Sequence, residues 1–294
     1  MKLNIEQKGR YRIYNVFFDD LTDLYYYLKS NPKVNSDIFR KLESVENDHD
    51  FAGDSYEKSI EYIVNGYPHN FNNFLTACER MQSSTLDPTD NRELRRGLYG
   101  GIPLAPLVAS EVPDCMLRYD RNKESVTRNM YFSLGYPCFN TQREIFNRGL
   151  STLYVVDALE KKGDVVNFIA RETSKEYNEI VNIEIVLKKP TDVMLDIKKC
   201  YYPIAGREFL RRLLFRVLET LPVQNGWNCG YGTQLEEDEL RKMFNLKNTD
   251  YVISTPNEIG IHGKDIYNDT AKLINNLNLN EEFDVEKIKK LSRY

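Results

Sequence analysis

Four arginines, spaced one helical turn apart, are the densest group of residues that could bind an anion. The pairs are Arg207 with Arg211 and Arg212 with Arg216. At about 100° per residue, the two pairs lie on opposite flanks of the apolar arc of a helix predicted over 204–220. Arginines in such places commonly cover the core with their stems and pair with neighbouring carboxylates. The alternative is an exposed patch that binds anions or a nucleic-acid backbone.

Phosphate-binding and metal-binding patterns are incomplete. Gly263-Lys264 is followed by Asp265, where a phosphate-binding loop needs Ser or Thr, and Glu258 stands at the place of its leading glycine. The glycine-rich segment 226–232 precedes an acidic stretch, whereas a phosphate-binding loop joins a strand to a helix. An ordinary loop between helices is therefore favoured, and a phosphate role there is the open alternative. Asp48-His49-Asp50 lacks the bidentate glutamate of a calcium loop, and a solvated acidic loop is favoured. We therefore expect no metal and no cofactor.

Patterns of nucleophilic catalysis are also missing. Neither Gly-x-Ser-x-Gly nor Ser-x-x-Lys occurs in a strand–turn–helix context. A histidine-dependent triad would have to use His49, His69 or His262. We expect no catalytic residues. The hypothesis of an enzyme with an unfamiliar site would be favoured if Asp157, Glu160 or His262 were buried together in a pocket.

Composition limits the class of protein. The 294 residues include 41% hydrophobic and 12% aromatic side chains, enough for a large core. The formal charge of −4 excludes the basic excess of a protein that wraps nucleic acid, but not a local basic patch. The five cysteines form no Cys-x-x-Cys pair. The first residues lack the apolar stretch of a secretion signal. No segment reaches the ~20 apolar residues that a membrane span needs. We expect a protein of the cytoplasm of a host cell or of a virion, neither secreted nor bound to a membrane.

Periodicity predicts three regions. Residues 1–82 read as a helical N-terminal region, 83–114 as a Pro/Gly-rich connector, and 115–294 as an α/β domain. The predicted hairpin joins 116–119 to 126–134. In the segment 180–187, apolar residues occupy both faces, which is typical of a strand inside a sheet that is covered on both sides. The sequence predicts a three-layer α/β fold with a mostly parallel, Rossmann-like sheet.

The segment 126–170 resembles the opening of a von Willebrand A-like domain, with a strand, a loop, a long helix and a second strand. That family usually carries Asp-x-Ser-x-Ser after the first strand, where these side chains coordinate a divalent cation. Here the loop reads Gly-Tyr-Pro-Cys-Phe-Asn-Thr over 135–141, and of the expected oxygen ligands only Asn140 and Thr141 could remain. The resemblance thus implies a von Willebrand A-like core that lacks the metal-site motif.

The chain also resembles an uncharacterised domain family encoded mainly by tailed bacteriophages. The matching pieces are Gly-Asp-Ser-Tyr-Glu-Lys-Ser at 53–59 running to Gly66, Pro-Asp-Cys-Met at 113–116, Asn-Arg-Gly at 147–149 running to Val-Asp-Ala-Leu-Glu at 156–160, and Phe-Leu-Arg-Arg-Leu-Leu-Phe at 209–215. Together they span 53–219. This resemblance implies a phage origin and supplies no activity.

These observations predict a non-catalytic phage protein that binds another protein, in virion assembly or in host takeover. In α/β folds the ligand usually lies beyond the carboxyl ends of the strands. We expect the binding edge at Tyr136, Asn140, Thr141, Asn147 and Arg148. The alternative for Arg148 is a structural role, in which its side chain holds the connector 83–114 in place. The alternative function is nucleic-acid association through the arginine-rich helix 204–220, and the oligomeric state is left open.

Overall fold

The computed structural model describes residues 1–34, 49–82, 84, 126–192, 195–224 and 231–292, together with the backbones of three strands between 92 and 121. The main sheet contains β1 (Lys2–Lys8), β2 (Tyr11–Phe18), β6 (Thr127–Ser133), β7 (Val165–Glu176), β8 (Glu179–Lys188) and β9 (Tyr251–Ile253), in the order β1-β2-β8-β7-β6-β9. A second sheet contains β3 (Arg92–Gly97), β4 (Ile102–Pro103) and β5 (Met116–Arg121).

Helices connect and cover these strands. In chain order they are α1 (Leu21–Lys29), α2 (His49–Ala52), α3 (Tyr56–Asn65), α4 (Phe71–Gln82), α5 (Gln142–Lys161), α6 (Ile197–Ala205), a π-helical segment (Phe209–Leu214) that runs into α7 (Phe215–Glu219), α8 (Glu237–Phe244), α9 (Pro256–Ile259), α10 (Ile266–Asn276) and α11 (Val285–Leu291). None of the described helices is both long and apolar enough to cross a bilayer.

The α/β class is confirmed, but the sheet is mixed. β2 is parallel to β8, and β6 is parallel to both β7 and β9. The pairs β1–β2 and β7–β8 are antiparallel, because tight turns join their strands. The Rossmann-like or von Willebrand A-like, mostly parallel sheet is therefore not confirmed.

The N-terminal region is only partly helical. The sequence prediction is wrong for residues 2–18, which form two strands of the main sheet. On β2, Tyr14, Val16 and Phe18 enter the main core, which is the period-two pattern of a strand. The segment is short, and the stronger helical periodicity of α1 follows it directly, so the strand pattern was not recognised. Helices α1, α3 and α4 agree with the prediction.

The region 83–114 lies mostly outside the described residues, so the predicted domain boundaries stay a prediction. Its described strands β3 and β4 both pair with β5. The predicted hairpin between 116–119 and 126–134 is wrong, because β6 pairs with β7 and β9 instead.

The main core lies between the sheet and the long helix α5, which agrees closely with the predicted helix. Both faces of β8 are buried, as its sequence predicts: Val181, Ile183 and Ile185 enter the main core, while Ile180 joins a smaller cluster with Leu240 of α8. Helices thus contact both faces of the sheet. The helix predicted over 204–220 is divided, because α6 ends at Ala205 and the π-helical segment begins at Phe209.

Close packing of α5 against α6 depends on Gly149. A Cβ atom at this position would lie 2.4 Å from the backbone oxygen of Ile204. Gly149→Ala should therefore lower the free energy of unfolding by about 1–3 kcal/mol, the usual cost of overpacking. On an exposed helical face, a glycine-to-alanine change would instead raise the free energy of unfolding by roughly 1 kcal/mol.

Urea unfolding followed by circular dichroism measures this difference. Arg143→Ala, on the exposed face of α5, is the matched control and should change stability by no more than about 0.5 kcal/mol. A Gly149→Ala protein as stable as the wild type would contradict the close approach of the two helices.

Candidate functional site

A crevice opens beyond the carboxyl ends of β6 and β9. The last residue of β6, Ser133, pairs with Arg171 of β7, whereas β7 continues to Glu176 in a hairpin with β8. The hairpin therefore extends past its neighbour and forms a wall. The loop after β6, the start of α9 and the π-helical segment form the other sides. Carboxyl ends of parallel strands are the usual place for ligands in α/β folds.

A cavity of about 680 Å³ occupies this crevice. Ligand pockets are typically about 300–1,000 Å³ and combine aromatic walls with a few polar groups. The described lining includes the aromatic residues Tyr136, Phe215 and Tyr231 and the polar residues Glu172, Ser174 and Thr255.

Local structure fixes several of these side chains. Gly135 lets the chain pass close to the floor, because a Cβ there would lie 2.6 Å from the Gln234 amide and 3.0 Å from Glu172 Oε2. Tyr136 donates its hydroxyl to the carbonyl of Arg207 at 3.1 Å. Thr255 begins α9 in a capping box with Glu258, which fixes the far rim.

Glu172 is the most unusual group of the cavity. It is 7% exposed, and its Oε1 accepts a hydrogen bond from Ser174 Oγ at 3.2 Å. Its Oε2 has no hydrogen-bond partner among the described residues. Burial raises the pKa of Glu172 to about 8, against the opposing effects of Ser174 and Arg148. The carboxyl is therefore mostly protonated at neutral pH.

Arg148 lies behind the cavity on α5. It is 1% exposed, donates from Nη1 to the carbonyl of Ser254 at 3.0 Å, and lies 4.4 Å from the ring centroid of Phe132. Burial lowers the pKa of Arg148 to about 10, which nearby Tyr136, Glu172 and Glu258 partly offset. No carboxylate of the described chain forms an ion pair with it, so a buried cation and a buried acid lie near each other without pairing.

Of the five residues predicted to form the binding edge, two lie at or behind the cavity and three bond elsewhere within the fold. Tyr136 lines the cavity and Arg148 lies behind it. Three other predicted residues have internal partners: Asn140 donates to Asn257 Oδ1 at 2.9 Å, Thr141 caps α5, and Asn147 donates to Asp269 Oδ2 at 2.8 Å. Arg148 binds the loop after β9, while the connector it was alternatively expected to pin lies largely outside the described residues.

Sequence reasoning missed Glu172, Ser174 and Tyr231. The available signal was a carboxyl at an inward-facing position of β7, two residues after the core residue Ala170. An ionisable residue in that place is rarely buried unless it is paired. The strand was predicted to end at 170, which left Glu172 outside it.

The four arginines do not form the exposed patch that the sequence left open. Arg211 donates to the carbonyls of Phe51 and Cys138, and Arg212 to those of Asp54 and Gly53. These two arginines are 3% and 1% exposed. They cannot reach a phosphate backbone without unfolding, because their donors bind the N-terminal segment 51–54.

The remaining two arginines are similarly enclosed. Arg216 is 8% exposed, lies 3.6 Å from the Glu219 carboxylate and stacks over Tyr56, while Arg207 is half-buried. The structural interpretation of the four arginines therefore fits the described contacts better than the anion patch.

The other candidate groups are not brought together. Asp157 pairs with Lys161 and Glu160 with Lys188, while His262 lies in the loop after α9. The described residues hold no group of three or more His, Cys, Asp or Glu side chains placed to bind a metal. Residues 225–230 lie outside the described part of the chain, so a phosphate role for the glycine-rich segment is untested. Its last residues, Tyr231 and Gly232, line the cavity.

Comparison with protein-family models matches residues 4–281 to a family described as a domain of unknown function (DUF7192). The chain belongs to the DUF7192 family. Comparison with curated proteins and comparison with solved structures each find nothing that matches it. The DUF7192 match extends beyond the 53–219 span of the phage resemblance and names no activity. The phage origin and the von Willebrand A-like core stay predictions.

The raised pKa of Glu172 makes the stability of this DUF7192 protein depend on pH. Between the ordinary carboxyl value of 4.5 and about 8, the folded chain keeps a proton that the unfolded chain loses. This contribution to stability is fully present below 4.5 and is lost as pH rises towards 8. Glu172→Gln keeps a neutral side chain and should gain stability relative to the wild type over this window.

Urea unfolding of both proteins at several pH values checks this expectation. Glu61→Gln, on the exposed face of α3, controls for the loss of a carboxylate. A stability difference between wild type and Glu172→Gln that stays constant from about pH 5 to about pH 9 would show that the Glu172 carboxyl is ionised throughout.

The buried arginines give a second test. Arg212→Gln should lower the free energy of unfolding by about 1–3 kcal/mol, because it removes the guanidinium that donates to the carbonyls of Gly53 and Asp54. Exposed Arg143→Gln is the control. The structural role would be refuted if Arg212→Gln kept full stability and lost a salt-dependent affinity for duplex DNA.

Proposed function

We propose that this protein acts by binding, and that a segment of another protein enters the cavity beyond β6 and β9. The observation that carries the proposal is the buried Glu172 carboxyl, whose Oε2 has no partner among the described residues and which lies in the wall of a cavity of about 680 Å³. Natural proteins rarely bury a polar atom unpaired, and such an atom in a ligand-sized pocket is typical of a recognition site.

The rim supports a macromolecular partner. Cys138 is exposed at the edge of the cavity, and the next residue, Phe139, is 70% exposed. An exposed aromatic side chain beside a pocket resembles the anchors that surround protein-binding sites. A role in virion assembly or in host takeover stays the expected context.

Nucleic-acid association is the second hypothesis, and no exposed arginine cluster on the described residues favours it. Arg211, Arg212 and Arg216 are buried. An affinity for DNA that falls steeply with salt would restore this hypothesis.

Selection of random displayed peptides on the purified protein tests the proposed function. Thr233 is exposed and lines the cavity, so Thr233→Trp should partly fill its mouth. Selected peptides should bind the wild type and lose at least about tenfold in affinity, or about 1.4 kcal/mol, on Thr233→Trp. Fluorescence anisotropy with the purified peptides measures both affinities.

Glu61→Trp adds the same side chain on the exposed face of α3 and should leave affinity unchanged. Failure to select any peptide, or equal affinity for the wild type and Thr233→Trp, would refute the proposal.

A further inference from the structure

The cavity is acidic. Glu172 lies in its wall, and Glu236 and Glu258 are exposed at its rim. Arg211 is the cation among its described lining residues, and its guanidinium already donates to the carbonyls of Phe51 and Cys138. At neutral pH an entering ligand therefore meets two carboxylates at the rim, the neutral acid Glu172 in the wall and one arginine whose donors are engaged. This balance favours a cationic ligand over an anionic one.

The aromatic wall is suited to the same class of ligand. Tyr231 and Phe215 are stacked, with ring centroids 3.7 Å apart and an interplanar angle of 9°. Tyr136 also lines the cavity, but its ring already lies near the Arg211 guanidinium, 5.0 Å from the ring centroid, so the Tyr231 and Phe215 pair is the aromatic surface that the proposal uses. Aromatic faces attract ammonium and guanidinium groups, and this attraction grows when water is excluded.

The unpartnered Oε2 of Glu172 supplies the acceptor. It is at least nine-tenths buried, since the residue is 7% exposed, and it lies 3.0 Å from the position that a Cβ atom of residue 135 would take, close to the Gln234 amide. The charged and titratable groups around it are Arg148 on α5, Tyr136 on the loop after β6, Arg211 on the π-helical segment and Glu258 on α9. A cation bound on the cavity side of the carboxyl would add to the effect of Arg148, because both charges favour the ionised form of Glu172.

We propose that the cavity binds a cationic group, an ammonium or a guanidinium, whose N–H donors bind Glu172 Oε2, and that Glu172 releases its proton to solvent as the cation binds. The neutral acid becomes a carboxylate, the ligand keeps its own charge, and one proton leaves the complex. This inference rests on the proposed function, because it names the chemistry that the binding site selects. The cation can come from a lysine or arginine of a bound protein or from a free small amine.

Titrations with small probes test the inference. The cationic probes are N-acetyl-lysine N-methylamide and N-acetyl-arginine N-methylamide, the neutral probe is N-acetyl-citrulline N-methylamide, and the free amine is putrescine. NMR shift changes of the protein give each affinity. Below about pH 8 the affinity for the cationic probes should rise roughly tenfold per pH unit and then level off, because binding must displace the Glu172 proton.

Two variants distinguish cation binding at Glu172 from a general attraction of cations to an acidic protein. Glu172→Gln should abolish the pH dependence and weaken the cationic probes at least about tenfold at pH 8, and circular dichroism verifies that this variant folds. Glu61→Gln removes an exposed carboxylate on α3 and should change neither property. Equal affinity for the arginine and citrulline probes, affinity that does not change with pH, or no binding of any cationic probe would each overturn the inference.

The outcomes also distinguish this inference from the proposed function. If selected peptides bind the cavity but show no preference for a cation, the inference fails and the proposed function stands. If putrescine binds with the expected pH dependence while no peptide is selected, the cavity is a small-amine site and the protein-binding function fails.

Discussion

Glu172 is a carboxyl in the wall of a cavity, where the described residues supply one hydrogen bond and no cation paired with it. Burial penalises its charged form, so its pKa rises to about 8. Arg148 lies close enough to oppose this effect but donates to the carbonyl of Ser254 instead. The fold therefore maintains a neutral acid beside a buried cation, and the chemistry of the cavity follows from that arrangement.

In contrast to Glu172, the buried arginines of the π-helical segment have hydrogen-bond partners and a structural role. Arg211 and Arg212 direct their donors to backbone carbonyls of 51–54, and Glu208 accepts hydrogen bonds from Tyr67 and from the Asp54 backbone. These contacts attach the N-terminal helices to the layer that covers the sheet. They also fix one wall of the cavity, because Arg211 and Phe51 both line it.

The elements that the sequence predicted well have strong local signals. Helix α5 has long amphipathic periodicity and a Thr141–Glu144 capping box, and β8 has apolar residues on both faces. The strand β2 was missed because it joins the sheet through a parallel partner, β8, that is distant in sequence, and β1 joins the sheet only through β2. The mixed order of the sheet likewise follows from long-range pairing, which local periodicity does not encode.

The fold class led us to expect a binding edge at the carboxyl ends of the strands, where the structure has a cavity, but the sequence did not indicate the chemistry of that cavity. Tyr136 and Arg148 were placed near the carboxyl ends of the strands, where the cavity lies. Asn140 and Asn147 were expected at the same edge, and their side chains instead bond to Asn257 and Asp269. Glu172 could not be recognised from its own sequence neighbours, because its ionisation depends on burial by the loop after β6, the segment before α8 and the helix α5.

The most direct measurement of this account is the titration of glutamate ¹³Cδ resonances, with the Glu172 signal assigned by its loss in Glu172→Gln. The account predicts that the Glu172 carboxyl titrates near pH 8 in the free protein and at lower pH when the lysine probe is present. Titration near the ordinary carboxyl value of 4.5, with no change on addition of the probe, would contradict it.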